Sequence, residues 1–491
     1  MRKLENLLLG VALCSLIACS NKQKEIYVNS CTFPEGASLE EKVRLSAHVV
    51  PSARQLEWQQ MEFTGFICYG VNTFTDMEWG TGKEDPTVFN PTELDAGQWV
   101  QTAKEAGMKM ILLTCKHHDG FCLWPSAYTD FSVASSPWKE GKGDLVRDVS
   151  DACKEQGLKF AVYLSPWDMN HPDYGTEQYN DFFVNQLTEL LTQYGRVDEV
   201  WFDGACGEGP NGKKQVYDFK RYYGVIRRLQ PQAVIAVMGP DVRWVGTESG
   251  YGRDTEWSTL PATATSLSDI AESSQQEAGS GTFLPVGNMM EDDLGSRKLL
   301  ADAKGVIWYP SEVDVSIRPG WYYHASEDTL VKSPQKLIDI YYSSIGKNSL
   351  LLLNLPPDKR GLIHENDVSS LMNMQRILGK TFEKNLTDEA KVSFGKNIIE
   401  ISFDEEREFD RLLLQENITE GQRIEKFVLE CRVDTDWIPV AEGTTVGYKR
   451  ILRFDPVCCS EARIIIKESR DIPQISEIGF YKASEEETAK K

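Results

Sequence analysis

Residues 197–204 read VDEVWFDG, a strand-like apolar run that finishes on a carboxylate, Asp203, beside Trp201, Phe202 and Gly204. Burying an ionised Asp costs several kcal/mol unless something compensates it. Such a residue is either a satisfied loop-end carboxylate or a functional one. A second carboxylate, Glu248, lies in DVRWVGTESGYGRDTEW among Trp244, Gly246, Gly250 and Tyr251. Hydrolysing a glycoside with retention needs two carboxyls, a nucleophile and an acid/base, about 5–5.5 Å apart. Asp203 is the nucleophile candidate and Glu248 the candidate partner, although a solvated loop position is the commoner fate of any Glu.

Other polar residues gather in the same kind of place. His117, His118 and Asp119 follow one strand-like run, Ser165, Trp167 and Asp168 the next, and Glu312 and Asp314 a later one. The HHD triplet is a weak metal signal, because neighbouring histidines on a strand point to opposite faces and neither HxH nor HExxH accompanies them. As neutral partners of sugar hydroxyls the two imidazoles make more sense. A serine nucleophile is disfavoured too, since Pro166 follows Ser165 and there is no GxSxG elbow. No metal and no cofactor is required.

The elements that must position these residues repeat from about residue 60: an apolar strand, a loop, then an amphipathic helix closed by Gly. DAGQWVQTAKEAG is such a helix ending at Gly107, and DLVRDVSDACKEQG repeats it with Gly157. MKMILLTCKHHDGF and LKFAVYLSPWD read as strands, residues 177–194, 214–229 and 333–346 as helices, and GVIWYPSEVD and SLLLNLPP as later strands. GTFLPVG is the candidate for a sixth strand. Strands alternating with helices imply a parallel sheet, and seven or eight such units over roughly 300 residues fit an α/β fold of the (β/α)8 TIM type. A doubly wound open sheet is the rival, but no GxGxxG opens the first unit. In a barrel, the C-terminal strand ends carry the site, which is where the polar residues fall. The expected organisation is a barrel over residues 31–370, a β-sandwich over 385–484 built from many short strands, and a disordered tail over 485–491. The sandwich either binds sugar or braces the barrel.

At 491 residues, with 53 basic and 74 acidic side chains, the chain carries a formal charge of −21, which argues against nucleic acid as a partner. Its 12 Trp and 18 Tyr suit a carbohydrate ligand, whose C–H faces stack on rings. The first residues, MRKLENLLLGVALCSLIAC, have a basic start and an apolar stretch too short to span a membrane. The LIAC ending resembles a bacterial lipoprotein signal over residues 1–19, with Cys19 lipidated. That predicts a protein of the bacterial cell envelope, touching the membrane only through its lipid and facing the periplasm. Eleven Cys with no CxxC do not form a disulfide framework, and the strand cysteines Cys68, Cys115 and Cys206 are expected as buried thiols.

Seven stretches in order, NTFTDMEWG, KHHDGFCLWPS, VYLSPWD, VWFDG, RWVGTESG, DVSIRPGWYYH and LLLNLPPDKRG, resemble glycoside hydrolase family 29, the retaining α-L-fucosidases, over most of residues 45–365. The forms around RWVG and DVSIRPGW are similar to the subgroup that prefers α1,3- and α1,4-linked fucose. The resemblance implies an exo-acting enzyme that removes fucose from oligosaccharides or glycoconjugates, with Asp203 as nucleophile and Glu248 as acid/base. It also implies that Glu78, Trp79, His117, His118, Tyr163 and Trp201 form the fucose pocket and that Trp321 lines it. Such chemistry needs Asp203 ionised, through nearby donors, and Glu248 protonated, in a less polar loop site. One position departs: where the family commonly reads IHFG or IHWG, this chain has ICYG, placing Cys68 at the sugar-contacting His. Two further readings therefore stay open, a glycosidase of the same fold with altered sugar choice, such as a galactoside, and a non-catalytic glycan-binding protein.

Overall fold

The computed structural model describes residues 27–263, 265, 266, 268 and 291–488. The expected lipoprotein signal, Cys19 with it, and the GTFLPVG stretch lie outside these residues. Eight parallel strands form the body: β1 (Phe63–Ile67), β2 (Met110–Lys116), β3 (Lys159–Leu164), β4 (Glu199–Phe202), β5 (Val234–Val237), β6 (Arg243–Trp244), β7 (Ser311–Ser316) and β8 (Ser349–Asn354). They pair in the order β5-β4-β3-β2-β1-β8-β7-β6. An isolated bridge between Ala236 and Val242 and a 3.0 Å bond from Val237 N to Val242 O bring the ends of that order together. This is the (β/α)8 architecture with a nearly closed barrel.

Side-chain alternation makes the barrel a two-sided wall. Phe66, Met110, Leu112, Ala161, Trp201, Val234 and Leu352 fill the interior. Ile111, Leu113, Val162, Val200, Ile235 and Leu351, one residue out of step, pack outwards with the helices. The outer helices include α1 (Ala96–Glu105), α2 (Leu145–Gln156), α3 (Glu177–Gln193), α4 (Phe219–Leu229), α5 (Pro334–Ser344) and α6 (Glu365–Thr381). Asp95, Asp144 and Asp218 cap three of them, each carboxylate accepting from a first-turn amide. Gly157 ends α2 at φ 80°, a conformation that costs glycine nothing. α4 starts at Phe219, five residues later than the pattern indicated.

Two strand expectations change. GVIWYPSEVD is not one strand: Gly305–Trp308 belongs to a small antiparallel sheet with Ser30–Thr32 and Thr259–Ala262, and Ser311–Ser316 is β7. Pro310, which has no N–H to pair, stands between them. Glu312 and Asp314 are therefore inside a barrel strand and not beyond its end. The sixth place in the barrel is held by Arg243–Trp244, directly before the loop that carries Glu248.

Beyond α6 come β9 (Lys391–Phe394), β10 (Ile398–Glu416), β11 (Ile424–Val433), β12 (Asp436–Gly443), β13 (Arg450–Ser469) and β14 (Ile475–Tyr481). They form an antiparallel sheet around a core of its own that includes Ile401, Phe409, Phe427, Ile464 and Phe480. Where many short strands were expected, β10 and β13 run for 19 and 20 residues, and their pairing shifts register after Ser402 and Phe409. The expected tail is also partly built in. Glu485–Thr488 forms a helical turn, and buried Glu487 pairs with Arg411 at 2.7 Å and accepts from Tyr342 at 2.9 Å and Thr381 at 2.6 Å.

The sheet grips the barrel at residues 254–258. Gln422 donates to the Glu256 carbonyl at 2.9 Å and accepts from Ser258 N at 2.7 Å, while Glu256 N donates to Thr445 at 2.9 Å. Arg450 and Thr444 both donate to the Asp254 carbonyl at 2.6 Å. The Glu256 carboxylate, fully buried, pairs with Arg243 of β6. These contacts are those of a brace.

Candidate active site

A cavity of about 180 Å³ opens at the C-terminal ends of the strands. Of the expected site residues, Trp79, His117, His118, Tyr163, Trp201, Asp203, Glu248 and Trp321 line it, together with Phe66, Cys68, Ala205 and Asp314. Glu78 is not among the lining residues: its carboxylate accepts from Trp321 N at 2.8 Å and Tyr322 N at 3.3 Å, and pairs with His324 at 2.6 Å. It fixes the loop that presents Trp321.

Asp203 is one residue past β4, where the chain turns. Tyr163 donates to its Oδ2 at 2.9 Å and Ala205 N to its Oδ1 at 2.7 Å, so both oxygens are engaged by donors. Trp201, two residues earlier on the same face, stacks on Tyr163 with ring centres 5.1 Å apart, and Phe66 packs against both. Trp79, 54% exposed, stands at the rim edge-on to His118 and Trp167.

Adjacent His117 and His118 were expected to diverge. They converge on the cavity with ring centres 4.1 Å apart, because β2 ends at Lys116 and strand alternation no longer applies. Burial pushes both pKa values down, His118 to about 3 with Lys116 adding to the effect, so both rings are neutral. Ser165 spends its proton on the Trp167 carbonyl at 2.7 Å, so its oxygen must accept from His118 Nδ1, also at 2.7 Å. His118 Nε2 is then a bare acceptor, 4.0 Å from Asp203 Oδ2 and available to a hydroxyl donor. Behind it lies the buried ion pair of Lys116 and Asp168 at 2.8 Å. Burial alone would raise Asp168, but Lys116 and two backbone amides outweigh it and hold the carboxyl below its usual range.

Glu248 hangs at the mouth, where Trp321 Nε1 donates to it at 3.1 Å. Loss of water on its pocket side raises its pKa, the indole bond opposes the shift, and the charges of Asp203 and Glu78 add to it. The two carboxyls thus sit in contrasting settings, one ringed by donors, the other biased towards its acid form. At the Cys68 corner, Thr114 Oγ1 lies 3.5 Å from the sulfur, and burial raises the thiol, which stays protonated.

The floor of the site is formed by Glu312 and Asp314, expected beyond a strand end, and by Glu199, which the sequence did not single out. Glu312, Asp314 and Ser316 alternate inwards along β7, and Glu199 points inwards from β4. Trp201 Nε1 donates to Glu312 at 2.7 Å and Trp58 Nε1 to Glu199 at 2.8 Å, and the two buried carboxyls hydrogen-bond each other. Burial raises both, and the charge of Glu199 raises Glu312 further. Asp119, buried beside Glu84 and Asp168, is likewise pushed up to about 7. These raised values make stability depend on pH. Below the ordinary carboxylate range, near pH 4, folded and unfolded chains both hold the protons. As pH rises the unfolded chain releases them first, and stability is lost up to the raised folded values. The melting temperature should therefore fall by about 5 °C or more between pH 5 and pH 8. Glu199→Gln should flatten that slope in a thermal melt, and an unchanged slope would remove the pair from the account.

Flat rings for C–H faces, neutral partners for hydroxyls and two carboxyls at the open end make this barrel a glycoside hydrolase. The α-L-fucosidase family model matches residues 54–383. Alpha-L-fucosidase 1 of Arabidopsis thaliana is 43% identical over 468 residues, covering 88% of this chain and 87% of that protein. A Bacteroides ovatus crystal structure assigned to the α-L-fucosidases is 51% identical, with a TM-score of 0.87 over 95% of this chain and 80% of that one. A family 29 fucosidase of Ruminococcus gnavus, solved with fucose, is 30% identical with a TM-score of 0.77, covering 89% of this chain and 96% of that one. The chain belongs to the α-L-fucosidase family, glycoside hydrolase family 29.

Proposed function

We propose that this α-L-fucosidase is exo-acting and retaining, and that it removes terminal α1,3- or α1,4-linked L-fucose from glycans. In the first step the Asp203 carboxylate attacks the anomeric carbon while Glu248 gives its proton to the departing glycosidic oxygen. A fucosyl ester of Asp203 forms and the shortened glycan leaves. In the second step Glu248, now ionised, takes a proton from water, which attacks the anomeric carbon and frees Asp203. The observation that carries this reading is the contrast between the two carboxyls in one cavity. A cavity on the scale of one monosaccharide supports exo action, and the RWVG and DVSIRPGW stretches support the linkage. The LIAC ending supports lipidation at Cys19 and residence on the periplasmic side of the envelope. Incubation with a Lewis-type trisaccharide tests the function: wild type should release fucose and Asp203→Ala should not. No sugar from either protein would overturn it.

A second reading rests on Cys68. A thiol is a weak donor that cannot reach as an imidazole does, so the pocket holds fucose less tightly or admits another pyranoside such as a galactoside. Cys68→His should raise kcat/KM on an aryl α-L-fucoside by about 5- to 150-fold, the equivalent of roughly 1–3 kcal/mol for one restored hydroxyl contact. No change, or a drop, contradicts it.

A further inference from the structure

Asp314 is a buried carboxyl on the cavity floor that the catalytic steps leave unused. It projects inwards from β7, lines the cavity with Cys68, Asp203 and Glu248, and is 4% exposed. Trp244 Nε1 donates to its Oδ1 at 2.7 Å. Burial above all, then the charges of Glu248 and Glu312, push the carboxyl well above its usual range against the pull of the Trp244 bond and its own backbone amide, which biases it towards its acid form. In that form, with Oδ1 accepting from Trp244, the proton belongs on Oδ2. The same corner holds the Cys68 thiol, whose sulfur accepts from Thr114 Oγ1 at 3.5 Å and whose own S–H is a weak donor. A neutral carboxylic acid is by far the better donor to a hydroxyl oxygen.

We propose that Asp314 is a substrate-binding residue, donating from Oδ2 to a hydroxyl oxygen of the bound sugar. The inference rests on reading this cavity as the fucose site.

The test pairs variants of the enzyme with aryl α-L-fucosides lacking the 2-, 3- or 4-hydroxyl in turn. In wild type, removing the hydroxyl that Asp314 serves should lower kcat/KM by about 5- to 50-fold. In Asp314→Leu, the parent fucoside should already show that loss, and removal of the same hydroxyl should cost less than about twofold more. Asp314→Asn keeps an acceptor for Trp244 and an N–H for the cavity, so it should restore the wild-type deoxy-sugar pattern that Asp314→Leu loses. Trp244→Phe separates a merely structural role, because it breaks the indole bond and leaves Oδ2 in place; it should also keep the wild-type pattern. If Asp314→Leu does not fold, Asp314→Ser is measured instead, with the same expectation. Equal deoxy-sugar penalties in wild type and the Leu or Ser variant, at every position, would overturn the proposal. Wild-type turnover by Asp203→Ala would instead overturn the reading of the cavity itself. An inactive Asp203→Ala together with an unaltered deoxy pattern in Asp314→Leu would overturn the Asp314 role alone.

Discussion

Replacing Asp203 by alanine is expected to lower kcat/KM on an aryl α-L-fucoside by about 1,000-fold or more, with little change in melting temperature. The size follows from the proposed chemistry, which gives the sugar ester to Asp203, so that what survives is binding and proton transfer alone. The fold should tolerate the change. The side chain is half-buried at a strand end, and the donors it leaves, Tyr163 and Ala205 N, face a cavity that water can enter. Azide supplied in solution should occupy the vacated space and restore turnover, giving a fucosyl azide of inverted anomeric configuration. Activity within tenfold of wild type would remove Asp203 from the nucleophile's role, and so would azide rescue with retention.

The second large effect concerns Glu248 and depends on the leaving group. Glu248→Ala should cost about 100- to 10,000-fold on a fucosylated oligosaccharide, whose departing alcohol needs the proton. It should cost far less in the first step on a fucoside of an acidic phenol, which leaves unassisted. The pH profile supplies a second reading. Burial on the pocket side and the nearby charges of Asp203 and Glu78 raise Glu248, so the acid form persists above the ordinary Glu range. Activity on oligosaccharide should fall as pH rises through that raised value, and the alanine variant should lose this limb. Equal losses on both substrates would assign Glu248 to binding.

The barrel was legible because its signals are local and repeated: amphipathic helices closed by Gly, as at Gly157, and apolar strands of ordinary length. Asp203, Trp201 and His117 were legible because they sit at the ends of such strands. The convergence of His117 with His118 was not, since nothing local marks Lys116 as the last paired residue. β6 escaped because two residues, Arg243 and Trp244, are too few to show a period. Glu312 and Asp314 were picked out but set beyond a strand end, because GVIWYPSEVD reads as one apolar run; only the break at Pro310 reveals that they share the inward face of β7 with Ser316. The SEEETAKK stretch looks solvated by composition. Its Glu487 is buried because Arg411, Tyr342 and Thr381, all distant in sequence, converge on it. In each case the missing information was tertiary.

The grip of the C-terminal sheet on residues 254–258 has a consequence for how the protein comes apart. The loop bearing Glu248 is tied at one end to β6 and at the other to Gln422, Thr445 and Arg450. Stripping the sheet away would leave backbone groups of Asp254, Glu256 and Ser258 without partners, next to the buried pair of Arg243 and Glu256. The sheet is therefore part of the same cooperative folding unit as the acid end of the active site.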